Sequence, residues 1–156
     1  MTFKLSQRSL GRLDGVKNSL FSVCTLAITK SDVDFGVICG MRTQAEQDDL
    51  VARGASQTRK SKHLTGDAVD LMAYVECNGK SRASWELNLY DDIADAMAKA
   101  AREKGIKIRW GAAWHIDSIG EYEGTMEEAM NEYIDLRRSE GRRPFIDGPH
   151  FELMPH

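Results

Sequence analysis

The chain has 156 residues, of which 42% are hydrophobic and 29% charged, a length that carries one buried core and leaves little room for two domains. With 21 basic and 24 acidic residues the formal charge is −3, which argues against gripping nucleic acid by bulk charge. No apolar run approaches the roughly 20 residues that cross a bilayer.

The opening, Met1-Thr-Phe-Lys-Leu-Ser-Gln-Arg, lacks the apolar stretch of a signal peptide, so the chain is expected to be made in the cytosol and to need help to work elsewhere. Residues 6–13 are polar and lead into a helical pattern, in which Leu13, Val16, Leu20, Cys24 and Ala27 recur every three or four positions. Residues 34–39 form a short β-rich run ended by Gly40. Thr43-Gln-Ala-Glu46 is a capping box, which predicts a helix to about Arg53 with Gly54 just past its end. Residues 68–75 are apolar and read as a buried strand. Leu89, Ile93, Met97 and Ala100 line one face of a long helix closed by Gly105. Residues 106–110 alternate as a strand does. Thr125-Met-Glu-Glu128 is a second capping box, with a helix to about Ser139, and residues 150–153 read as a last short strand. Helices and strands mix without a βαβ rhythm, so the expected class is α+β, a small antiparallel sheet with flanking helices, in a single domain over residues 1–156.

Cys24, Cys39 and Cys77 form no C-x-x-C pair, which speaks against a disulfide framework and a thiolate zinc site. Cys24 and Cys39 lie among apolar residues and read as small buried side chains.

Chemistry concentrates in two places. Ser61-Lys-His-Leu-Thr-Gly-Asp-Ala-Val-Asp70 puts His63 in a loop before Asp70, which opens an apolar run, and Gly66 between them permits a tight turn. A nitrogen and an oxygen donor make half of a zinc site, whereas a hydrogen-bonded His–Asp pair ordering a turn is the competing reading. Asp147-Gly-Pro-His150 supplies a second half, in which Pro149 stiffens the loop and Asp147 faces the same cleft as His150. Two histidines and one carboxylate leave a fourth position for water, as in a catalytic zinc site; the alternative is unrelated polar residues at a strand edge.

Ser61-x-His63-x-x-Gly66-x-Ala68-x-Asp70 resembles the first zinc motif, S-x-H-x-x-G-x-A-x-D, of the D-Ala-D-Ala and L-Ala-D-Glu metallopeptidases, which share a fold with lysostaphin-type peptidases and the hedgehog signalling domain. Asp147-x-x-His150 is similar to that group's E/D-x-x-H motif, and Gly40-Met-Arg42-Thr-x-x-Glu46-Gln47 to its G-x-R-T-x-x-E-Q stretch. The resemblance runs from about Phe3 to Leu153, and the opening is similar to that of phage-encoded L-alanyl-D-glutamate endopeptidases, the endolysins. It implies one Zn²⁺ per chain on His63, Asp70 and His150, with Asp147 as general base and Arg42 facing the site. Ser61 and Trp114 are expected to contact substrate or support the ligands. The implied substrate is bacterial peptidoglycan, cut at the L-Ala–D-Glu bond by a monomer that reaches the wall once a holin has opened the membrane, with no role for nucleic acid or membrane insertion. A D-Ala-D-Ala carboxypeptidase or dipeptidase, and a zinc-stabilised binding module without catalysis, are the alternatives.

Two departures stand out. Trp110-Gly-Ala-Ala-Trp114 replaces the family's frequent W-G-G-D-W, so Ala113 stands where an acidic residue is expected. The stretch between Trp114 and Asp147 is long, making residues 118–144 a helical insertion whose Arg137, Arg138, Arg142 and Arg143 read either as a positive rim or as a helix end. Outside the motifs, His115 is expected to stay off the site and His156 to fray, whereas Glu152 shares a strand face with His150 and could orient a ligand.

Overall fold

The computed structural model describes residues 2–56, 58 and 60–155; the expectation for His156 lies outside them. The chain begins with helix α1 (Gln7–Arg12) and helix α2 (Asn18–Lys30), where the periodic pattern predicted one continuous helix from Leu13. Gly15, at φ +87°, breaks it. Leu13 and Val16 are still buried, so the apolar spacing marked the core correctly while the backbone between the helices turns.

Strand β1 (Asp34–Cys39) and helix α3 (Gln44–Ala52) follow, the latter opened by the capping box of Thr43 and Glu46. Strand β2 (Ala68–Cys77) is longer than expected and continues through a hairpin into β3 (Lys80–Ser84). Asn78 and Gly79, at φ 53° and 78°, form the turn. An Asn-Gly pair is a strong hairpin signal, and it was there to be read. Helix α4 (Leu87–Lys104) ends on Gly105 in the left-handed region, then come β4 (Ile108–Trp110), helix α5 (Met126–Ser139) and β5 (His150–Leu153). The five strands form one antiparallel sheet.

Strand β2 is its centre. Its one edge pairs with β1, and its other edge is shared, β5 pairing with Ala68–Asp70 and β3 with residues 73–77. Successive side chains of a strand point to opposite faces. Phe35, Val37, Val69, Leu71, Ala73, Ile108, Trp110, Phe151 and Leu153 are buried on one face, joining α2 and α4 in a single apolar cluster. Burying a side chain of this size contributes about 1.5–3 kcal/mol, so this face holds the sheet's position rigidly. The alternate residues Arg109, Asp70, His150 and Glu152 take the other face.

The pairing of β1 with β2 shifts between Val37 and Cys39, so two residues of β1 lie against one step of β2. Strict alternation would turn Cys39 to the core beside Val37. The bulge re-aims it to the face of Asp70, its register partner, which is the kind of local redirection bulges provide beside functional sites. The expectation that Cys39 is a buried packing residue is therefore corrected: it is half-buried on the polar face, while Cys24 is fully buried as expected.

Candidate metal centre

Register alone places Cys39, Asp70 and His150 side by side on β1, β2 and β5. His63 joins them from a single 3₁₀ turn, Lys62–Thr65. The hydroxyl of Ser61 caps that turn by accepting from the His63 N–H at 3.2 Å, so Ser61 orders the backbone of His63. Gly66 ends the turn at φ +75°, and a Cβ there would stand 2.4 Å from the Gly15 carbonyl oxygen. Only glycine satisfies both the conformation and the close approach.

Both histidine rings are oriented by their outer nitrogens. His63 Nδ1 lies 2.8 Å from the Gly40 carbonyl oxygen, which leaves Nε2 at 3.2 Å from Asp70 Oδ2. His150 Nε2 lies 2.9 Å from Glu152 Oε1, which leaves Nδ1 at 3.2 Å from Asp70 Oδ1. Each ring thus engages a protein oxygen with one nitrogen and turns the other toward the same carboxylate, as metal-ligating histidines do. Glu152 is in turn held by Lys62 Nζ at 3.1 Å.

The donor atoms of Cys39, His63 and Asp70 lie within 4.8 Å of one another, as do those of Asp70, Asp147 and His150, and Asp70 is common to both groups. A possible metal-binding site is therefore present, with Asp70 at its middle. The nitrogen and carboxylate donors suit a divalent transition metal, and the histidine orientation fits that use.

Burial would raise the Asp70 carboxyl, but hydrogen bonds and charge from His150 and His63 outweigh it and hold the group well below the ordinary range. Burial favours the neutral forms of both histidines, yet Asp70 raises both above their usual value. An incoming ion must displace those protons. Asp147 behaves oppositely: burial, then the charge of Asp70, raise its carboxyl. Two carboxylates a short distance apart are thus set to different proton affinities.

The loop carrying Asp147 is clasped by the residues after β4. Asp147 donates its N–H to the Gly111 carbonyl at 2.8 Å, and Gly111 donates to the His150 carbonyl at 2.9 Å. Trp110 Nε1 donates to the Gly148 carbonyl at 2.7 Å and is fully buried, so this tryptophan braces the loop from the core. Trp114 lies against the site, its ring 5.7 Å from that of His150 and under the Arg109 guanidinium at 5.2 Å.

Arg42 reaches the centre. Its guanidinium stands 3.8 Å from Asp70, donates to Cys39 Sγ at 3.3 Å, and is anchored by Gln47 Oε1 at 2.6 Å. Glu46 accepts from the Thr43 N–H in the capping box. His115 lies off the site as expected, bonded to Glu132 at 2.8 Å and stacked on Tyr133. Ala113 is fully buried. Cys39 is the neighbour that sequence reasoning missed, because only the bulge reveals its facing.

Two oriented histidines about a low-pKa carboxylate on the inner strands of the sheet, with a second carboxylate of raised proton affinity beside them, suit metal-assisted hydrolysis. Comparison with known proteins agrees in kind. Residues 1–154 match the family described as phage L-alanyl-D-glutamate peptidase. The L-alanyl-D-glutamate peptidase of Escherichia phage T5 is 35% identical over 158 aligned positions, covering 99% of this chain and all of that protein. The crystal structure of the Serratia marcescens L-Ala D-Glu endopeptidase ChiX is similar at a TM-score of 0.68 and 36% identity, over 99% of this chain and 90% of that one. The chain belongs to the phage L-alanyl-D-glutamate peptidase family.

Proposed function

We propose that this chain is a zinc-dependent peptidoglycan endopeptidase of endolysin type that hydrolyses the L-Ala–D-Glu bond of stem peptides. Family membership supports the bond, and the single observation carrying the chemistry is the convergence of His63 and His150 on the two oxygens of Asp70. His63, Asp70 and His150 would hold the ion. A bound Zn²⁺ supplies Lewis acidity for the scissile carbonyl and acidifies water.

The other steps belong to the protein. Asp147 takes a proton from the attacking water at its carboxylate and passes it to the leaving amine of D-Glu. Arg42, anchored by Gln47, presents a planar fork that stabilises negative charge on the carbonyl oxygen or holds a substrate carboxylate. Gly40 and Glu152 keep the ligand rings from turning. Cys39 lies beside His63 and Arg42, and its sulfur forms one of the two possible donor groups with His63 and Asp70.

Among the described residues no helix is long and apolar enough to cross a membrane. The chain acts as a monomer on the wall after a holin-type opening of the membrane. The competing D-Ala-D-Ala carboxypeptidase reading makes a different product. A purified stem peptide digested with the zinc-loaded chain is expected to yield a new D-Glu amino terminus by mass spectrometry. Release of terminal D-Ala with an intact L-Ala–D-Glu bond would overturn the assignment.

A further inference from the structure

The segment that separates Trp114 from Asp147 places one exposed aromatic residue, Phe145, against Trp114. Phe145 is 62% exposed, yet its backbone is pinned at both ends. Its N–H donates to the Tyr133 hydroxyl at 3.2 Å, and its carbonyl accepts from Trp114 Nε1 at 3.1 Å. Tyr133 itself is buried on α5, and its hydroxyl also accepts from Arg137 Nε at 3.1 Å. The Phe145 ring stacks on Trp114 at 6.3 Å and 26°, and Trp114 lies against His150. An aromatic ring is thus held in a fixed pose at the mouth of the centre, one ring away from a ligand candidate, with most of its surface in water. Its outer face is left free to pack against an apolar surface of a bound molecule.

We propose that Phe145 is a saccharide platform: it stacks the pyranose ring of the glycan strand to which the stem peptide is joined. This rests on the reading that the L-Ala–D-Glu bond is cut. On the amino side of that bond a single L-Ala and a lactyl ether separate the carbonyl from a sugar, and one extended residue spans only ~3.5 Å. On the carboxyl side come D-Glu and further charged or small residues, which offer a flat apolar ring little to bury. Pyranoses present a face of C–H groups, and such a face packs on an aromatic ring by dispersion and by attraction to its negative face. Tyr133, supplied by α5, fixes the platform's position, which gives the long segment after Trp114 a role in substrate recognition.

The test compares two substrates with the zinc-loaded chain: the sugar-free stem tripeptide, and the same tripeptide on the N-acetylglucosaminyl-N-acetylmuramoyl disaccharide. Phe145→Ala is expected to lower kcat/KM on the disaccharide substrate about tenfold more than on the free peptide, chiefly through KM. Phe145→Trp, which keeps a stacking face, should restore most of the difference. Equal losses on both substrates, or no loss on either, overturn the platform and leave the peptidase reading standing. If the wild-type chain leaves the L-Ala–D-Glu bond of both substrates intact, the peptidase reading fails and the platform falls with it.

Discussion

Asp147→Asn is expected to retain the metal and lose at least ~10²-fold in turnover, the contribution of a positioned general base. The replacement is nearly isosteric, and the backbone contacts that place the residue, N–H to Gly111 and carbonyl to the His150 N–H, do not involve the carboxylate. The amide cannot take a proton, so chemistry suffers while binding does not. The wild-type limb on the acid side of the pH profile should vanish with it. Burial and Asp70 raise the Asp147 carboxyl, so in the ion-free chain it gains its proton at a higher pH than an ordinary aspartate, and the base form is lost as pH falls. A bound cation would move that limb to lower pH. Steady-state rates of Asp147→Asn beside its measured metal content check this, and wild-type turnover would move the base elsewhere.

Gly111→Ala tests the same loop by sterics. A Cβ at Gly111 would stand 2.2 Å from the Asp147 carbonyl oxygen and 3.1 Å from the Asp147 Cβ, and the nearest obstacle is backbone, which cannot swing aside. Either the loop moves or the strand end does, and both carry His150 with them through the Gly111 N–H bond to its carbonyl. Displacements of about 1 Å at a reacting group cost roughly 10²-fold in rate, and a loss of that order is expected here, together with a lower unfolding midpoint. Kinetics and thermal unfolding of this one variant check both. Unchanged values would mean that the clasp between Gly111 and Asp147 does not position the base.

Local signals in the sequence were accurate where the determinants are local. The capping boxes at Thr43 and Thr125 open helices as expected, and the strands Asp34–Cys39 and His150–Leu153 have the bounds their β-rich runs suggested. The helix expected from Leu13 failed because apolar spacing records burial, not φ, and Gly15 adopts a conformation that helix does not tolerate. At the site, it was the family resemblance that named His63, Asp70 and His150, which the fold brings together, and parity put Glu152 beside His150. Cys39 was misplaced because one extra residue in β1 inverts parity beyond it. Phe145 was invisible, since its pose depends on Tyr133 and Trp114, which are joined to it only by the folded chain.

Stoichiometric metal titration tests the centre most directly. The metal-stripped chain, titrated with Zn²⁺ and read by elemental analysis after desalting, should take up one ion. His63→Ala, Asp70→Ala and His150→Ala should each weaken that uptake far more than the 10–100-fold of a supporting residue, whereas Cys39→Ser should keep the ion. Full occupancy in all three ligand variants, or loss of the ion in Cys39→Ser with retention in His150→Ala, would contradict a centre built on the two histidines and Asp70.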